Sequence, residues 1–319
     1  MGYHQFIDVL RNNSSFRIVS HMLPDGDSIG SSLALARVLL LRQKNVKVYF
    51  KDMLPLKYKF LLSSSDCIED LTYIDSAEVL LVLDCSDFSR TGLEEESIKK
   101  FSYVVNLDHH VTNNYFGNIN LVDGSAAATG ELLFHLFDYA GITMNQKIAE
   151  ALYTAILTDT GSFKYQNTTS TTHEVAAKLL DYKIDHSGIS QRIFDEQPLS
   201  YMLLLKKTLS TLELWHGNQV ACLTINEEMR MQCGASMEDL NGIVNYAKNI
   251  QGTEIGVLLY LNGNGEIKVG LRSKEVDVSK LAEAFGGGGH QRAAGFKITT
   301  SYQEAKDRIL EEAGLFLSK

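Results

Sequence analysis

Two apolar runs without polar alternation constrain the fold of this chain more than any other feature. Residues 79–83 and 103–107 show no regular alternation of apolar and polar side chains, which is typical of strands in a parallel sheet that helices cover on both faces. Before them, a β-rich run at 17–20, a helical pattern at 28–42 and a second β-rich run at 46–50 form a βαβ unit. We therefore predict an α/β fold whose N-terminal domain is a doubly wound parallel sheet.

Helical patterns dominate the middle of the chain. Two long ones, at 126–140 and 146–158, are separated by Gly141, a residue type that commonly ends helices. A third helical pattern spans 172–182. We interpret a further helix-like segment at 199–214 as the connector to a second domain.

Beyond this connector the pattern changes to separated strands and helices. We predict strands at 219–224, 254–261 and 266–271, with helices at 237–249 and 278–284. The Asn-Gly-Asn-Gly sequence between the last two strands is a hairpin signal, because Asn and Gly tolerate positive φ angles. These elements predict a smaller α+β domain at the C-terminal end.

The length of 319 residues exceeds what one compact core usually holds. We divide the chain into a catalytic domain at 1–190, a connector helix at 191–214 and a substrate-binding domain at 215–319. The smaller C-terminal domain is thus joined to the parallel-sheet domain by a helix.

Charge, cysteine content and hydropathy exclude several classes of protein. The chain has 30 Lys and Arg against 39 Asp and Glu, a net charge of −9, which disfavours broad electrostatic binding to duplex DNA. Its four cysteines form no Cys-x-x-Cys pair, so neither a disulfide scaffold nor a structural zinc site is indicated. The longest nearly apolar stretch, 33–41, is far shorter than the ~18 residues needed to span a bilayer. Because the first residues also lack the pattern of a secretory signal, we expect a cytoplasmic protein without membrane attachment.

Acidic and histidine residues follow several predicted strands and one helix. Ligands of open α/β sheets bind beyond the carboxyl ends of the strands, so these segments face the expected site. The candidate residues are His21, Asp25, Asp27, Asp84, Asp108, His109, His110 and Asp159.

Each of these residues taken singly has a plainer explanation. Asp25 and Asp27 could cap the helix that begins near residue 28, and Asp84 and Asp159 could be ordinary turn or cap residues. Together they favour a metal site, because carboxylates gathered this closely repel one another unless cations hold them. Oxygen ligands with a few imidazoles suit Mn²⁺ or Mg²⁺, with Fe²⁺, Co²⁺ or Zn²⁺ as alternatives. The set exceeds the needs of one ion, and two ions would indicate phosphoester hydrolysis.

The motifs resemble those of the DHH phosphoesterases, a family named for the triplet seen here at 108–110. The sequence His-Met-Leu-Pro-Asp-Gly-Asp-Ser-Ile-Gly-Ser at 21–31 resembles the first motif of the family, and the others follow in the family order. The resemblance implies two divalent ions, most suitably Mn²⁺, with Asp84 as the bridging ligand. It divides the remaining ligands into His21 and Asp25 for one ion and Asp27, His109 and Asp159 for the other. It implies a catalytic or supporting role for Asp108 and His110.

A glycine-rich loop and a locally basic region mark the C-terminal domain. The sequence Gly-Gly-Gly-Gly-His-Gln-Arg at 286–292 combines unencumbered N–H groups, which can cradle phosphate, with a histidine and an arginine. Between residues 266 and 297 there are six Lys or Arg against four Asp or Glu, although the chain as a whole is acidic. The loop and the Arg-Ser segment at 272–273 resemble the DHH-associated C-terminal domain. The resemblance implies substrate-binding roles for Arg272, Gly287, Gly288, Gly289, His290 and Arg292.

The resemblance extends over nearly the whole chain and is greatest to the stand-alone bacterial members. It implies hydrolysis of short oligoribonucleotides and linear dinucleotides, such as pApA or pGpG, to mononucleotides, and of 3′-phosphoadenosine 5′-phosphate to AMP. Three alternatives stay open: a cyclic dinucleotide (c-di-AMP) phosphodiesterase, a pyrophosphatase or exopolyphosphatase, and a non-catalytic nucleotide-binding regulator. The oligomeric state also stays open, with a homodimer as one alternative.

Overall fold

The computed structural model describes residues 2–317, which divide into two compact units between Glu196 and Gln197. Each unit is built on one six-stranded sheet. Among the described residues, no helix combines the length and the apolar character required for a membrane span.

The sheet of the N-terminal unit is parallel throughout. Its strands are β1 (Ser15–Val19), β2 (Asn45–Phe50), β3 (Ile68–Asp70), β4 (Ala77–Leu83), β5 (Phe101–Asp108) and β6 (Ile119–Val122). They lie in the order β3-β2-β1-β4-β5-β6, and every neighbouring pair is parallel. This is the strand order of a doubly wound α/β sheet, so the predicted fold class is confirmed. The order reverses between β1 and β4, and such a switch point is where open α/β sheets bind ligands.

Among its described residues, the N-terminal unit has six α-helices, of which two precede β1 and β2 and four follow β6. They are α1 (Gly2–Asn12), α2 (Gly26–Leu41), α3 (Thr129–Tyr139), α4 (Gln146–Asp159), α5 (Ser170–Leu180) and α6 (His186–Ser190). Three 3₁₀ helices, Leu56–Leu61, Phe88–Thr91 and Glu95–Lys100, and a π-helical turn, Gln191–Asp195, complete the unit.

The absence of alternation in β4 results from burial on both faces of the sheet. Val79, Leu81 and Leu83 join the large core formed with the helices. Leu80 and Val82 point to the other face and join a smaller core that includes Phe88. Because apolar groups cover both faces, every position from 79 to 83 favours an apolar side chain.

Helix α2 is buried along most of its length and packs closely on α4. Two glycines permit this approach. A Cβ atom at Gly30 would lie 2.4 Å from the carbonyl oxygen of Ala151, and one at Gly26 would lie 2.3 Å from Oγ1 of Thr158. The contact therefore brings the N-terminal end of α2 against the C-terminal end of α4.

The C-terminal unit contains a mixed sheet. Its strands are β7 (Glu213–Trp215), β8 (Val220–Asn226), β9 (Ile255–Leu261), β10 (Glu266–Ser273), β11 (Gly288–His290) and β12 (Ala293–Thr299). Its helices are α7 (Leu199–Leu209), α8 (Glu227–Gln232), α9 (Ile243–Lys248), α10 (Val278–Glu283) and α11 (Tyr302–Leu317), with a 3₁₀ turn at Glu238–Leu240. The strand order is β11-β12-β10-β9-β8-β7, and only β8 and β9 pair in parallel.

The predicted hairpin is present in this unit, but two predicted helices differ. β9 and β10 pair antiparallel around Gly263 and Gly265, whose φ angles are +81° and +80°. The helix predicted at 199–214 ends at Leu209, because residues 213–215 pair with β8 as an edge strand. The helix predicted at 237–249 is interrupted at Gly242, whose φ of +83° is incompatible with a continuous helix.

Candidate metal centre

His21 and Asp25 follow β1 at the switch point of the parallel sheet. The Nδ1 atom of His21 donates to the carbonyl oxygen of Met22 at 2.7 Å, which leaves Nε2 with its lone pair for a ligand. Nε2 lies 3.7 Å from Oδ1 of Asp25 and 3.5 Å from Oδ2 of Asp84. Asp25 also caps α2, since its side chain accepts from the amide of Ser28 at 3.0 Å. The capping role and a ligand role are therefore compatible at this residue.

Asp27 is held by the first amides of α3. Its Oδ2 accepts from the amide of Thr129 at 2.6 Å, and its Oδ1 accepts from the amide of Gly130 at 3.0 Å. The hydroxyl of Ser31 donates to Oδ1 at 2.8 Å. The side chain is almost completely buried. The positive end of the α3 dipole thus favours the ionised carboxylate in this position.

Asp84 lies between two histidines at the end of β4. Its Oδ2 is 3.5 Å from Nε2 of His21, and its Oδ1 is 3.6 Å from Nε2 of His109. The hydroxyl of Thr129 donates to Oδ1 at 3.2 Å. The backbone has a φ of +53°, a conformation that Asp adopts more readily than most residues. This turn directs the carboxylate into the middle of the cluster.

The triplet at 108–110 follows β5, the neighbour of β4. Nε2 of His109 lies 3.7 Å from Asp27 Oδ2 and 3.4 Å from Asp159 Oδ2. Nδ1 of His110 donates to Oδ1 of the buried Asp108 at 2.7 Å. Asp108 therefore orients the ring of His110, while His109 faces the other carboxylates.

Three overlapping groups of ligand atoms, each group within 4.8 Å, occur in the described part of the chain. They are His21, Asp25 and Asp84; Asp27, His109 and Asp159; and Asp84, His109 and His110. The structure thus brings all six residues that the sequence analysis proposed as metal ligands into one cluster. Asp84 belongs to two of the groups.

Burial and mutual repulsion perturb the pKa values of these groups. Burial, and then the charge of Asp84, raise the pKa of Asp27 well above its ordinary value. Burial likewise raises the pKa of Asp159 to about 6. Burial acts to lower the pKa of His109, but the surrounding carboxylates raise it to about 9. At His21 burial is again outweighed, here by Asp25 and Asp84, and the pKa rises to about 10.

The raised pKa values mean that, without metal ions, these side chains hold protons, which offset the negative charge of the carboxylates. The carboxylates are too close to remain ionised together without cations, and divalent ions would neutralise them directly. The donors are oxygen atoms and imidazole nitrogens, a set that suits Mn²⁺ or Mg²⁺. The residues present therefore fit a divalent metal centre.

Helix α3 begins at Thr129, whose amide binds Asp27, whereas the sequence analysis placed this helix from 126. Two further residues around the cluster were not predicted from the sequence. Asn113 donates to Oδ2 of Asp108 at 2.6 Å, and no local pattern marks it. Tyr58 is buried in a 3₁₀ helix, and this burial raises the pKa of its hydroxyl. These contacts depend on distant segments, so the sequence carried no local signal for them.

Two of the predicted substrate-binding residues of the C-terminal unit, Arg272 and His290, lie on the strands that flank β12. Arg272 in β10 is opposite Ala293 in β12, and Ala293 is opposite His290 in β11. Directly opposed residues share one face of a sheet, so Arg272 and His290 flank the same position. Arg292 instead donates to the carbonyl oxygen of Glu275.

The glycine run forms β11 and the turn before it. Gly287, Gly288 and Gly289 are exposed or half-buried. Gly289 has a φ of +148°, and a Cβ atom there would lie 2.5 Å from the Cα of Ala294. Only glycine permits this close approach of β11 to β12.

Comparisons with known proteins agree with the class that this fold and site indicate, a two-unit phosphoesterase whose acidic cluster could hold metal ions. Residues 15–156 match the family model for the DHH family, N-terminal domain, and residues 217–319 match the model for the DHHA1 domain. The chain belongs to the DHH family.

Curated relatives and a solved structure extend over most of the chain. The bifunctional oligoribonuclease and PAP phosphatase NrnA of Thermus thermophilus is 34% identical over 92% of this chain and 87% of its own length. The protein of the same name from Bacillus subtilis is 28% identical over 92% of this chain and 91% of its own length. The crystal structure of an exopolyphosphatase-related protein from Bacteroides fragilis has a TM-score of 0.89 and 26% identity. The match covers 99% of this chain and 97% of the Bacteroides protein.

Proposed function

We propose that this chain is a cytoplasmic phosphoesterase that hydrolyses short oligoribonucleotides and linear dinucleotides to mononucleotides, and 3′-phosphoadenosine 5′-phosphate to AMP. The observation that carries this proposal is the position of Asp84, whose two oxygens face His21 and His109 within a six-residue ligand cluster. The names of the Thermus and Bacillus relatives support the substrate class.

The proposal includes two divalent ions, most suitably Mn²⁺, with Mg²⁺, Co²⁺ or Fe²⁺ as substitutes. His21 and Asp25 would hold one ion and Asp27, His109 and Asp159 the other, with Asp84 shared. When bound, such ions activate water and stabilise the charge that develops at phosphorus. Two of the three ligand groups support this division, namely His21, Asp25 and Asp84 for the first ion and Asp27, His109 and Asp159 for the second.

Residues of the chain keep these ligands in place and address the substrate. The first amides of α3 orient Asp27, and Thr129 also donates to Asp84. Asp108 orients His110 through Nδ1, so that the Nε2 atom of His110 is left for a phosphate or leaving oxygen. In this proposal the N-terminal unit performs the chemistry.

The C-terminal unit would bind the end of the substrate. Arg272 and His290 flank Ala293 on one sheet face, and the loop containing Gly287, Gly288 and Gly289 would contact a terminal phosphate. The amide of Gly287 itself donates to the carbonyl oxygen of Ala282, so Gly287 would contribute through the open space that its missing side chain leaves. Binding of the end restricts the enzyme to short chains.

The test is release of phosphate and mononucleotides with Mn²⁺ from a matched set of substrates: pApA, a five-nucleotide RNA, a long RNA, 3′-phosphoadenosine 5′-phosphate, cyclic di-AMP and pyrophosphate. We expect rapid turnover of the short linear substrates and little attack on the long RNA or on cyclic di-AMP. Preference for cyclic di-AMP would instead identify a cyclic dinucleotide phosphodiesterase. Preference for pyrophosphate would contradict the nucleotide specificity.

A pair of variants separates the metal centre from other carboxylates at the same sheet edge. Asp84→Asn should abolish turnover, because the shared carboxylate loses its charge. Asp123→Asn is the matched control, since Asp123 follows β6 at the same edge but is exposed and lies outside the three ligand groups. Full activity of Asp84→Asn would refute the ligand assignment.

A further inference from the structure

A short loop connects the strand that carries Arg272 to α10. We call residues 273–277, between Arg272 and the first residue of α10, the 273–277 loop. Both of the proposed substrate-binding arginines are connected to this loop. Arg272 precedes it directly, and Arg292 donates from its guanidinium to the carbonyl oxygen of Glu275 within it.

One carboxylate oxygen accepts three consecutive amides of this loop. Oε1 of Glu254 accepts from the amides of Lys274 at 3.1 Å, Glu275 at 2.5 Å and Val276 at 2.7 Å. Successive N–H groups that converge in this way form an anion-binding concavity. Hydrogen bonds to an ionised acceptor are also stronger than those between neutral groups. Glu254 therefore serves as the internal anion that orders the loop.

Glu254 is itself well placed to act as an anchor. It immediately precedes β9, and its amide donates to the carbonyl oxygen of Gln219 at 2.8 Å. Ile255 is opposite Ser273 in the pairing of β9 with β10. The position of Glu254 is therefore fixed by β9, an inner strand of the sheet.

Two hydrogen bonds of Ser273 also hold the loop. The hydroxyl of Ser273 donates to the carbonyl oxygen of Val276 at 2.5 Å. The amide of Ser273 donates to the carbonyl oxygen of Arg292 at 3.2 Å. Glu254 and Arg292 therefore both contact Glu275. The amide of Glu275 donates to Glu254, and its carbonyl oxygen accepts from Arg292.

We infer that Glu254 is a positioning residue for substrate binding: it orders the 273–277 loop and so sets the positions of Arg272 and Arg292. This inference rests on the proposed function, in which the arginines bind the terminal nucleotide. Glu254 acts through the loop and does not touch the reacting atoms.

The test compares Glu254→Ala, Glu254→Gln and Glu254→Asp in the full-length protein. With pApA as substrate, Glu254→Ala should raise KM about tenfold and leave kcat within about twofold, because only binding interactions are weakened. Glu254→Gln keeps an oxygen acceptor but loses the negative charge, so it should recover part of the affinity. Glu254→Asp withdraws the carboxylate by about 1.5 Å and should resemble the alanine variant.

Two further measurements do not depend on turnover. The dissociation constant for AMP, measured by calorimetry, should rise about tenfold in Glu254→Ala, and exchange of the amides of residues 274–276 should accelerate. Glu266→Ala is the matched control, because Glu266 lies on the same sheet and, within residues 2–317, its carboxylate is paired only with the side chains of Asn262 and Lys297. It should leave AMP binding unchanged.

The outcomes distinguish this inference from the proposed function. Unchanged KM and AMP affinity in Glu254→Ala would overturn the inference, as would a loss of kcat and thermal stability with KM unchanged. A wild-type protein that binds AMP without hydrolysing any substrate would contradict the proposed function, while the AMP affinities of the variants would still decide the role of Glu254. Failure of the wild type to bind AMP would overturn both.

Discussion

Substitution of Gly30 by alanine should reduce activity far more than stability. The added Cβ would lie 2.4 Å from the carbonyl oxygen of Ala151 and 3.0 Å from the Cβ of Ala155. Unstrained contacts need roughly 3.5 Å, so α2 and α4 would have to separate by about 1 Å. Overpacking of this kind costs about 1–3 kcal/mol, whereas alanine gains about 1 kcal/mol over glycine inside a helix. We therefore expect a net loss of about 0–2 kcal/mol in the free energy of unfolding.

The effect on the metal centre should be larger because α2 carries Asp27 and α4 ends at Asp159. A displacement of about 1 Å in a catalytic arrangement can cost about 10²-fold in rate. Turnover of pApA with Mn²⁺ should therefore fall about 100-fold, while urea unfolding shows a largely intact protein. Leu41→Ala, at an exposed position on the same helix, is the control and should alter neither quantity. Unchanged turnover in Gly30→Ala would refute the argument that helix packing sets the ligand positions.

Three further predictions concern the same centre. Removal of metal by EDTA should lower the unfolding temperature. Addition of Mn²⁺ at about 100 times its dissociation constant should raise the free energy of unfolding by about 2.7 kcal/mol. An unfolding temperature that does not depend on Mn²⁺ in calorimetry would contradict a metal centre. Thr129→Val removes the hydroxyl that donates to Oδ1 of Asp84, a hydrogen bond worth about 1 kcal/mol, and should raise the Mn²⁺ concentration for half-maximal binding about fivefold, whereas an unchanged titration would exclude a role in holding Asp84. Asn113→Ala leaves one oxygen of the buried Asp108 without its donor, so urea unfolding should show a loss of about 1–3 kcal/mol, and wild-type stability would disprove this contact.

The parallel sheet and its site edge could be predicted because their signals are local. Apolar residues at every position of 79–83 reflect the two cores that cover β4. The acidic and histidine residues occur where predicted strands end, and parallel strands place those ends along one edge. The grouping of the candidate ligands therefore followed from their positions along the chain.

Other features could not be predicted because they depend on contacts between distant segments. Asp27 receives its hydrogen bonds from residues 129 and 130, more than a hundred positions away. The interruption at Gly242 is different in kind, because it is local and results from the φ of +83° at that residue. Arg292 was proposed as a substrate-binding residue from its place beside the glycine loop, and the structure adds its contact with Glu275.

The sequence by itself determined the fold class, the family and the residues available for a metal centre. These are properties of residue type, periodicity and order along the chain. Only the tertiary structure decided that Asp84 lies between His21 and His109, that α3 holds Asp27, and that one oxygen of Glu254 collects three amides. The reason is physical: periodicity encodes which face of an element is buried, whereas distances between side chains depend on how closely separate elements pack.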